Sequence, residues 1–330
     1  MKINVRKRKR ASRSGKAFAV EDLGFLLRLP VFVFVSLFVP EKRWRSVCLW
    51  LERLKRAPES RRDVGDQPDL AAFGIAGRED RLRVDAMRSE HNIQIVREWL
   101  VGWRPEIELL GAEHLDAARE QGRGAVLWIA HFAFNALAAK MVFAKAGFDV
   151  FHVSRPEHGF SKSRFGILFL NPIRTGVELR HAAGRIVIDR ANPAASMNEA
   201  RRLLRQGKFA SITAGAWEGE LLVRARIGQS AIEFAGGAPR LARIAGAPLL
   251  PVFVVRDDST GKIRVTVENP IDLDRSQDKA ELIQSAAQDF ADRHLAYLKA
   301  SPHQWRDWGK LKAHQGTLIE TEAGCLSSAF

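Results

Sequence analysis

The fold is decided by one apolar run and the residue that ends it, residues 124–132, which read Gly124-Ala125-Val126-Leu127-Trp128-Ile129-Ala130-His131-Phe132. An unbroken apolar run of this length predicts a strand buried on both faces, as in a parallel sheet. The small and apolar residues from 132 to 146 predict a helix. His131 therefore lies beyond the carboxyl end of a strand, where open α/β sheets place their functional groups.

The rest of the chain continues this alternation of strand and helix. Further strands are predicted at 149–154, 209–214, 248–255 and 262–268, and helices at 84–104, 112–121, 160–170, 196–206, 238–245 and 278–300. Such alternation predicts an α/β fold with a mostly parallel central sheet flanked by helices.

Composition divides the chain into four parts. We predict a basic disordered tail over residues 1–22, a membrane-associated helical segment over 23–57, a linker over 58–83 and the α/β domain over 84–330. The apolar run from Phe25 to Val39 is shorter than the roughly 20 residues that a spanning helix needs. Basic residues on both sides, with Trp44 and Trp50 at its edge, favour a segment in the cytoplasmic leaflet, and a helical hairpin packed on the domain is the alternative.

Charge indicates the kind of partner. The 330 residues carry a formal net charge of +14, which points to a nucleic acid or an anionic membrane surface. No nucleic-acid-binding module is recognisable, so a basic nucleic-acid-binding protein is only a remote alternative and no nucleic-acid partner is expected. Cys48 and Cys325 lie at opposite ends of the chain, so neither a disulfide framework nor a metal site is predicted.

His131 is the candidate general base, because a histidine at this junction could take a proton from a hydroxyl group. Such a base normally needs a carboxylate that holds its tautomer. Helix geometry would place that carboxylate about one turn further on, but position 136 is Ala. The base therefore lacks its usual orienting group in the local sequence.

The order of these features resembles that of the bacterial lipid A late acyltransferases, which belong to the lysophospholipid acyltransferase superfamily. The resemblance covers about residues 20–310 and includes the strand that ends at His131. Its other parts are Ser154-Arg155-Pro156, the helix and glycine at 200–207, the glycine-led helix and strand at 237–253, and Pro302-His303-Gln304-Trp305. Together they imply the glycerolipid acyltransferase-like fold.

The resemblance implies that a fatty acyl group moves from a thioester, on acyl carrier protein or coenzyme A, to a hydroxyl of a lipid or glycolipid. It also implies activity at the cytoplasmic face of the inner membrane, with the acyl thioester as co-substrate and no cofactor. In this family an acidic residue five positions after the histidine orients it. Here that position holds Ala136, and a second acidic position aligns with Gly215.

Other residues are therefore candidates for the site. Glu157 and Glu218 are the carboxylates that could serve His131, and we group them with it as catalytic residues. Arg155 and Arg180 could hold a phosphate or an oxyanion, and Gly237, which opens a helix, is the third predicted substrate-binding position. Because both family acids are absent, a catalytically degenerate lipid- or carrier-binding relative is the main alternative to an active enzyme.

Overall fold

The computed structural model describes residues 5–7, 16–55, 70–75, 77–215, 221–274 and 276–313. The described helices are α1 (Val20–Phe38), α2 (Trp44–Lys55), α3 (Arg78–Leu100), α4 (Ala112–Glu120), α5 (Ala138–Lys145), α6 (Asn171–Leu179), α7 (Pro193–Arg205), α8 (Gly237–Ala245) and α9 (Lys279–Ala300). The described strands are β1 (Val5–Lys7), β2 (Ile107–Leu110), β3 (Val126–Ile129), β4 (Val150–Ser154), β5 (Gly184–Val187), β6 (Phe209–Thr213), β7 (Leu221–Ile227), β8 (Ser230–Ala235), β9 (Leu249–Arg256), β10 (Ile263–Val267) and β11 (Lys312–Ala313).

The central sheet has seven strands in the order β2-β10-β9-β3-β6-β4-β5. Every described pairing in it is parallel except that of β10 with β9. The predicted α/β fold with a mostly parallel sheet is thus confirmed, and the five predicted strands correspond to β3, β4, β6, β9 and β10. The edge strands β2 and β5, and a smaller sheet in the order β1-β7-β8-β11, were not predicted. Each of these two edge strands has four residues with a charged one among them, Glu108 in β2 and Arg185 in β5, so neither shows the unbroken apolar pattern of β3.

The continuous apolar run of β3 is explained by its position between two cores. Val126 and Trp128 face the core that α8 and α9 cover, and the Trp128 ring lies 4.4 Å from that of Phe290. Leu127 and Ile129 face the second core, which α3 and α5 cover. All four residues of β3 are buried, because helices pack on both faces of the sheet.

The segment after β3 differs from the prediction. The helix expected to begin at position 132 begins at Ala138; Phe132 forms an isolated β-bridge with Trp305, and residues 133–137 form turns. The Asn135 side chain donates to the Ala130 carbonyl at 3.2 Å, and the Ala133 N–H donates to the Gln304 carbonyl at 2.7 Å. The Asn135 side chain and the Ala133 N–H thus bond to the end of β3 and to the C-terminal segment. A first helical turn therefore does not form at residues 132–137.

The N-terminal region packs on the domain through α1, whose Phe25 and Phe32 join the core that contains α3. In the described ranges, no helix combines the length and apolar character needed to cross a membrane. Residues 5–7, within the tail predicted to be disordered, instead form β1, which pairs antiparallel with β7 in the smaller sheet. Residues 8–15 and 56–69 lie outside the described residues, and α3 begins at Arg78, within the predicted linker.

Candidate active site

His131 is paired with the carboxylate of a residue near the C-terminal end of the described chain. Its Nδ1 lies 3.0 Å from Oδ1 of Asp307, and the two side chains are 17% and 5% exposed. An acid at Nδ1 fixes the tautomer and orientation of an imidazole and leaves Nε2 as the proton acceptor. The two residues therefore have the geometry of a general base with its orienting group.

The charge states of this pair suit a base. Burial lowers the pKa of His131 to about 4, although the Asp307 carboxylate partly opposes this effect. Burial alone would raise the pKa of Asp307, but His131 and Lys310 hold it below its ordinary value. The Lys310 ammonium lies 3.0 Å from the same carboxylate oxygen. At neutral pH the imidazole is therefore uncharged and the carboxylate is ionised.

Asp307 reaches His131 because the chain after α9 turns back across the end of β3. The Arg306 N–H donates to the His131 carbonyl at 3.1 Å. The Gln304 side chain bonds the backbone of Arg256 at the end of β9, accepting from its N–H at 2.7 Å and donating to its carbonyl at 2.6 Å. These bonds fix the residues directly before position 307 to the ends of the two central strands β3 and β9.

Aromatic packing holds the same segment in place. Trp305 and Trp308 are buried, with ring centroids 4.8 Å apart. The Trp308 ring lies 5.4 Å from that of Phe73, and the Trp305 ring lies 5.5 Å from that of His294. Aromatic side chains bury the largest areas of any residue type, so these contacts fix the segment firmly.

A cavity of about 1300 Å³ opens beside the pair, at the carboxyl ends of the parallel strands. Its cationic lining includes Arg88, Arg155, Arg174, Arg240, Arg306 and Lys310. Its apolar lining includes Ile129, Val187, Ile188, Met197, Ile212 and Leu221. Since cations outnumber carboxylates in this lining, the cavity suits a ligand that has both a hydrocarbon chain and an anionic group.

A second polar cluster surrounds the buried carboxylate of Glu178. Its oxygens lie 2.9 Å from His158 Nε2, 3.1 Å from Lys140 Nζ and 2.8 Å from Arg174 Nε. His152 completes a group of three metal-ligand types whose atoms lie within 4.8 Å of one another. Because Lys140 and Arg174 already neutralise the carboxylate, the charges favour an ion network over a metal centre.

Of the two predicted carboxylates, the structure describes Glu157, which is paired with an arginine. Both oxygens of Glu157 accept hydrogen bonds from Arg190, at 2.6 and 2.8 Å, on the wall of the cavity. Burial alone would raise the pKa of Glu157, but Arg190 lowers it below its ordinary value. Its carboxylate is thus engaged by Arg190, while Asp307 is the acid that pairs with His131. Glu218 lies outside the described residues.

The predicted substrate-binding residues divide into two groups. Arg155 and Gly237 line the same cavity as His131. Arg180 is not part of that lining, since its guanidinium donates to the backbone carbonyls of Glu98 at 2.6 Å and Trp99 at 3.4 Å. The structure therefore brings Arg155 and Gly237, but not Arg180, to the candidate site.

Asp307 is the residue of the candidate site that the sequence did not indicate. It lies in a stretch that reads as aromatic and basic, Trp305-Arg306-Asp307-Trp308, and no spacing relates it to His131. The one available signal was an acidic residue between two tryptophans, after the last long helix. Two tryptophans so close together indicate a buried segment, and a buried acid is a candidate for a functional pair.

Fold and site together define a class of protein. A His–Asp pair at the carboxyl end of a parallel sheet, beside a cationic and apolar cavity, is an arrangement suited to acyl transfer. The family model described as bacterial lipid A biosynthesis acyltransferase matches residues 82–306, and the chain belongs to this family. A comparison with curated proteins gave no match. Family membership supports an acyltransferase-type function in general terms, and the matched region ends directly before Asp307.

The low pKa of His131 predicts an unusual pH profile. A base with a pKa of about 4 stays neutral on mild acidification, so kcat/KM should be nearly constant between pH 5.5 and 7. If the base had the ordinary pKa of histidine, its neutral fraction, and with it kcat/KM, would fall about eightfold from pH 7 to pH 5.5. Initial rates of thiol release from an acyl thioester, with circular dichroism to verify folding at each pH, provide the measurement. An eightfold decline with intact folding would contradict the lowered pKa of His131.

Proposed function

We propose that this protein transfers a fatty acyl group from a thioester, on acyl carrier protein or coenzyme A, to a hydroxyl of an anionic lipid or glycolipid. His131 acts as the general base and Asp307 as its positioning residue. The observation that carries the proposal is the 3.0 Å pairing of His131 with Asp307 in the wall of the cavity. We propose that the reaction takes place at the cytoplasmic face of the inner membrane, where a thioester donor and a lipid acceptor can meet.

The proposed reaction follows from the position of the base. His131 Nε2 takes the proton of the acceptor hydroxyl as its oxygen attacks the thioester carbonyl. The tetrahedral intermediate then collapses, the carbon–sulfur bond breaks, and the thiolate takes the proton from the imidazolium. Asp307 stabilises the transient positive charge on the ring, as expected of a carboxylate at Nδ1. The products are an acyl ester and a free thiol, and no other reactant is needed.

The two chemical parts of the cavity support the proposed substrates. Met197, Ile212 and Leu221 offer an apolar surface for a hydrocarbon chain. Arg88 and Arg306 offer positive charge for a phosphate or another acidic group close to the reacting hydroxyl. Burial and the neighbouring arginines lower the pKa of Arg306 to about 9, so a bound anion would relieve repulsion among these cations.

The test supplies purified full-length protein with palmitoyl-coenzyme A or a palmitoylated carrier protein. The acceptors are the anionic and the neutral lipid fractions of a bacterial extract, separated by ion exchange. We expect thiol release, and lipids heavier by one acyl group, with the anionic fraction. His131→Gln should abolish both signals, whereas His114→Ala, a histidine of α4 outside the cavity lining, should not. If the protein binds these lipids but transfers no acyl group to them from either donor, the alternative of a catalytically degenerate lipid-binding relative is favoured.

A further inference from the structure

One oxygen of the Asp307 carboxylate serves two partners. His131 Nδ1 and Lys310 Nζ each lie 3.0 Å from Oδ1, so the two nitrogens are at most twice that distance apart. The Lys310 side chain is 37% exposed at the cavity, but its Nζ is buried beside the carboxylate. The ammonium, the carboxylate and the imidazole therefore follow one another in the wall of the cavity.

The backbone holds Lys310 in this place. It is the last residue of the short 3₁₀ helix Trp308–Lys310, and its N–H donates to the Asp307 carbonyl at 2.8 Å. The indole N–H of Trp308 donates to the Pro302 carbonyl at 2.9 Å, which anchors the same turn. Because this turn joins Asp307 to Lys310, the segment that brings the acid to the histidine also brings a cation for that acid.

The two partners of Asp307 compete for the same negative charge. A buried carboxylate beside Nδ1 attracts a proton to the imidazole, and an imidazolium cannot act as a general base. An ammonium on the same oxygen supplies a positive charge without protonation of the ring. Burial is the main cause of the low pKa of His131; Asp307 opposes this effect, and Lys310 adds to it.

Among the described residues, the other charged or titratable groups that face these three keep one charge state near neutral pH. Arg306, beside Asp307, and Arg155, after β4, add positive charge. Burial lowers the pKa of Arg306 to about 9 and that of His294 on α9 to about 3, so the first stays charged and the second neutral. Burial also lowers the pKa of Lys310, to about 8, so its ammonium persists at pH 7.

We propose that Lys310 is a positioning residue of this site, whose ammonium group holds the shared oxygen of Asp307 and keeps the imidazole of His131 neutral. Without this cation, the carboxylate would draw a proton onto the ring as the pH falls towards 6. The base would then be occupied before it meets the acceptor hydroxyl. The catalytic meaning of this role rests on the proposed acyl transfer, but the effect on the charge of His131 does not.

NMR titration of the full chain, carrying isotope-labelled histidine, tests the inference without turnover. The imidazole signal of His131 is identified by its absence from His131→Gln. A unit charge at about 6 Å, at an effective dielectric constant of about 20, shifts a pKa by about two units. We therefore expect Lys310→Met to raise the pKa of His131 by about this amount. Lys310→Arg keeps the charge and should shift it by less than about half a unit.

The same segment offers a matched control. Lys312 is 41% exposed and pairs with Glu233 at 2.9 Å, outside the cavity lining, so Lys312→Met should leave the pKa of His131 unchanged. Thioester turnover gives a second measurement. In Lys310→Met, kcat/KM should fall about fourfold from pH 7 to pH 5.5, while the wild type stays nearly constant. A merely structural role would lower kcat/KM by the same factor at both pH values.

An unchanged His131 titration in a folded Lys310→Met variant would overturn the inference, and so would an equal shift in Lys312→Met. Circular dichroism verifies folding, and Lys310→Gln takes the place of Lys310→Met if the latter does not fold. If the pKa of His131 rises as expected but neither donor supports acyl transfer, the proposed function fails, whereas the effect of Lys310 on the histidine is supported.

Discussion

Replacement of Asp307 with Asn is expected to lower kcat for acyl transfer about 10³- to 10⁴-fold, with a much smaller change in KM. The amide has the same shape as the carboxylate, but it cannot hold the neutral imidazole in one tautomer or stabilise the imidazolium. Asp307→Glu keeps the charge and should retain more activity than Asp307→Asn. Steady-state kinetics with a thioester donor and the anionic acceptor fraction, against the background of His131→Gln, give the measurement.

The chain offers a matched control for this experiment. Asp80 Oδ1 lies 3.0 Å from His303 Nε2, so a second His–Asp pair of equal length joins the C-terminal segment to α3 outside the cavity lining. Asp80→Asn removes a carboxylate that contacts the same C-terminal segment but leaves the proposed base intact. We expect it to change kcat less than threefold or so, like other substitutions remote from a reacting centre. Equal losses in Asp80→Asn and Asp307→Asn would mean that Asp307 only anchors the segment.

Replacement of Glu178 with Gln is expected to lower the free energy of unfolding by about 3–5 kcal/mol, because it leaves the buried cations Lys140 and Arg174 without their counter-charge. Burial alone would raise the pKa of Glu178, but Lys140, His158 and Arg174 lower it well below its ordinary value of 4.5. Because the pKa of Glu178 is lower in the folded than in the unfolded state, its carboxylate stabilises the fold at pH values above 4.5. This stabilisation is lost as the pH falls through the pKa of the folded state. The difference between variant and wild type should therefore shrink in acid.

Urea denaturation, followed by tryptophan fluorescence at pH 7 and again at low pH, measures this effect. Glu199→Gln is the control, since it breaks a pair with Arg202 in which both side chains are about half exposed, at 45% and 55%. Exposed pairs of this kind contribute little, so we expect a change below about 0.5 kcal/mol. A loss of similar size in the two variants would show that the Glu178 network does not stabilise the fold as described.

The fold was largely accessible from the sequence because its strongest signal is local. The apolar run that forms β3 can be buried only between two layers, and the alternation of further strands and helices then specifies a parallel α/β sheet. Long, well-patterned helices such as α9 were predicted closely, over 278–300 against Lys279–Ala300. Short edge strands such as β5 were not, since four residues of mixed polarity carry no clear periodicity.

The candidate site was accessible only in part. The position of His131 follows from the end of β3, and Arg155 follows the end of β4, so both could be placed at the same edge of the sheet. The orienting acid could not be found in this way. Local spacing points to position 136, where the chain has Ala, and the segment after β3 is not helical at that position.

The sequence by itself determined the five central strands, most of the helices that cover them and the position of His131, because burial of apolar runs depends on residues that are close together in the chain. Only the tertiary structure decided which acid lies beside that histidine. The hydrogen bonds of Gln304 and Arg306, with the buried rings of Trp305 and Trp308, bring Asp307 to within 3.0 Å of His131. Contacts between distant segments depend on how the elements pack around them, and no periodicity in a single sequence records that packing.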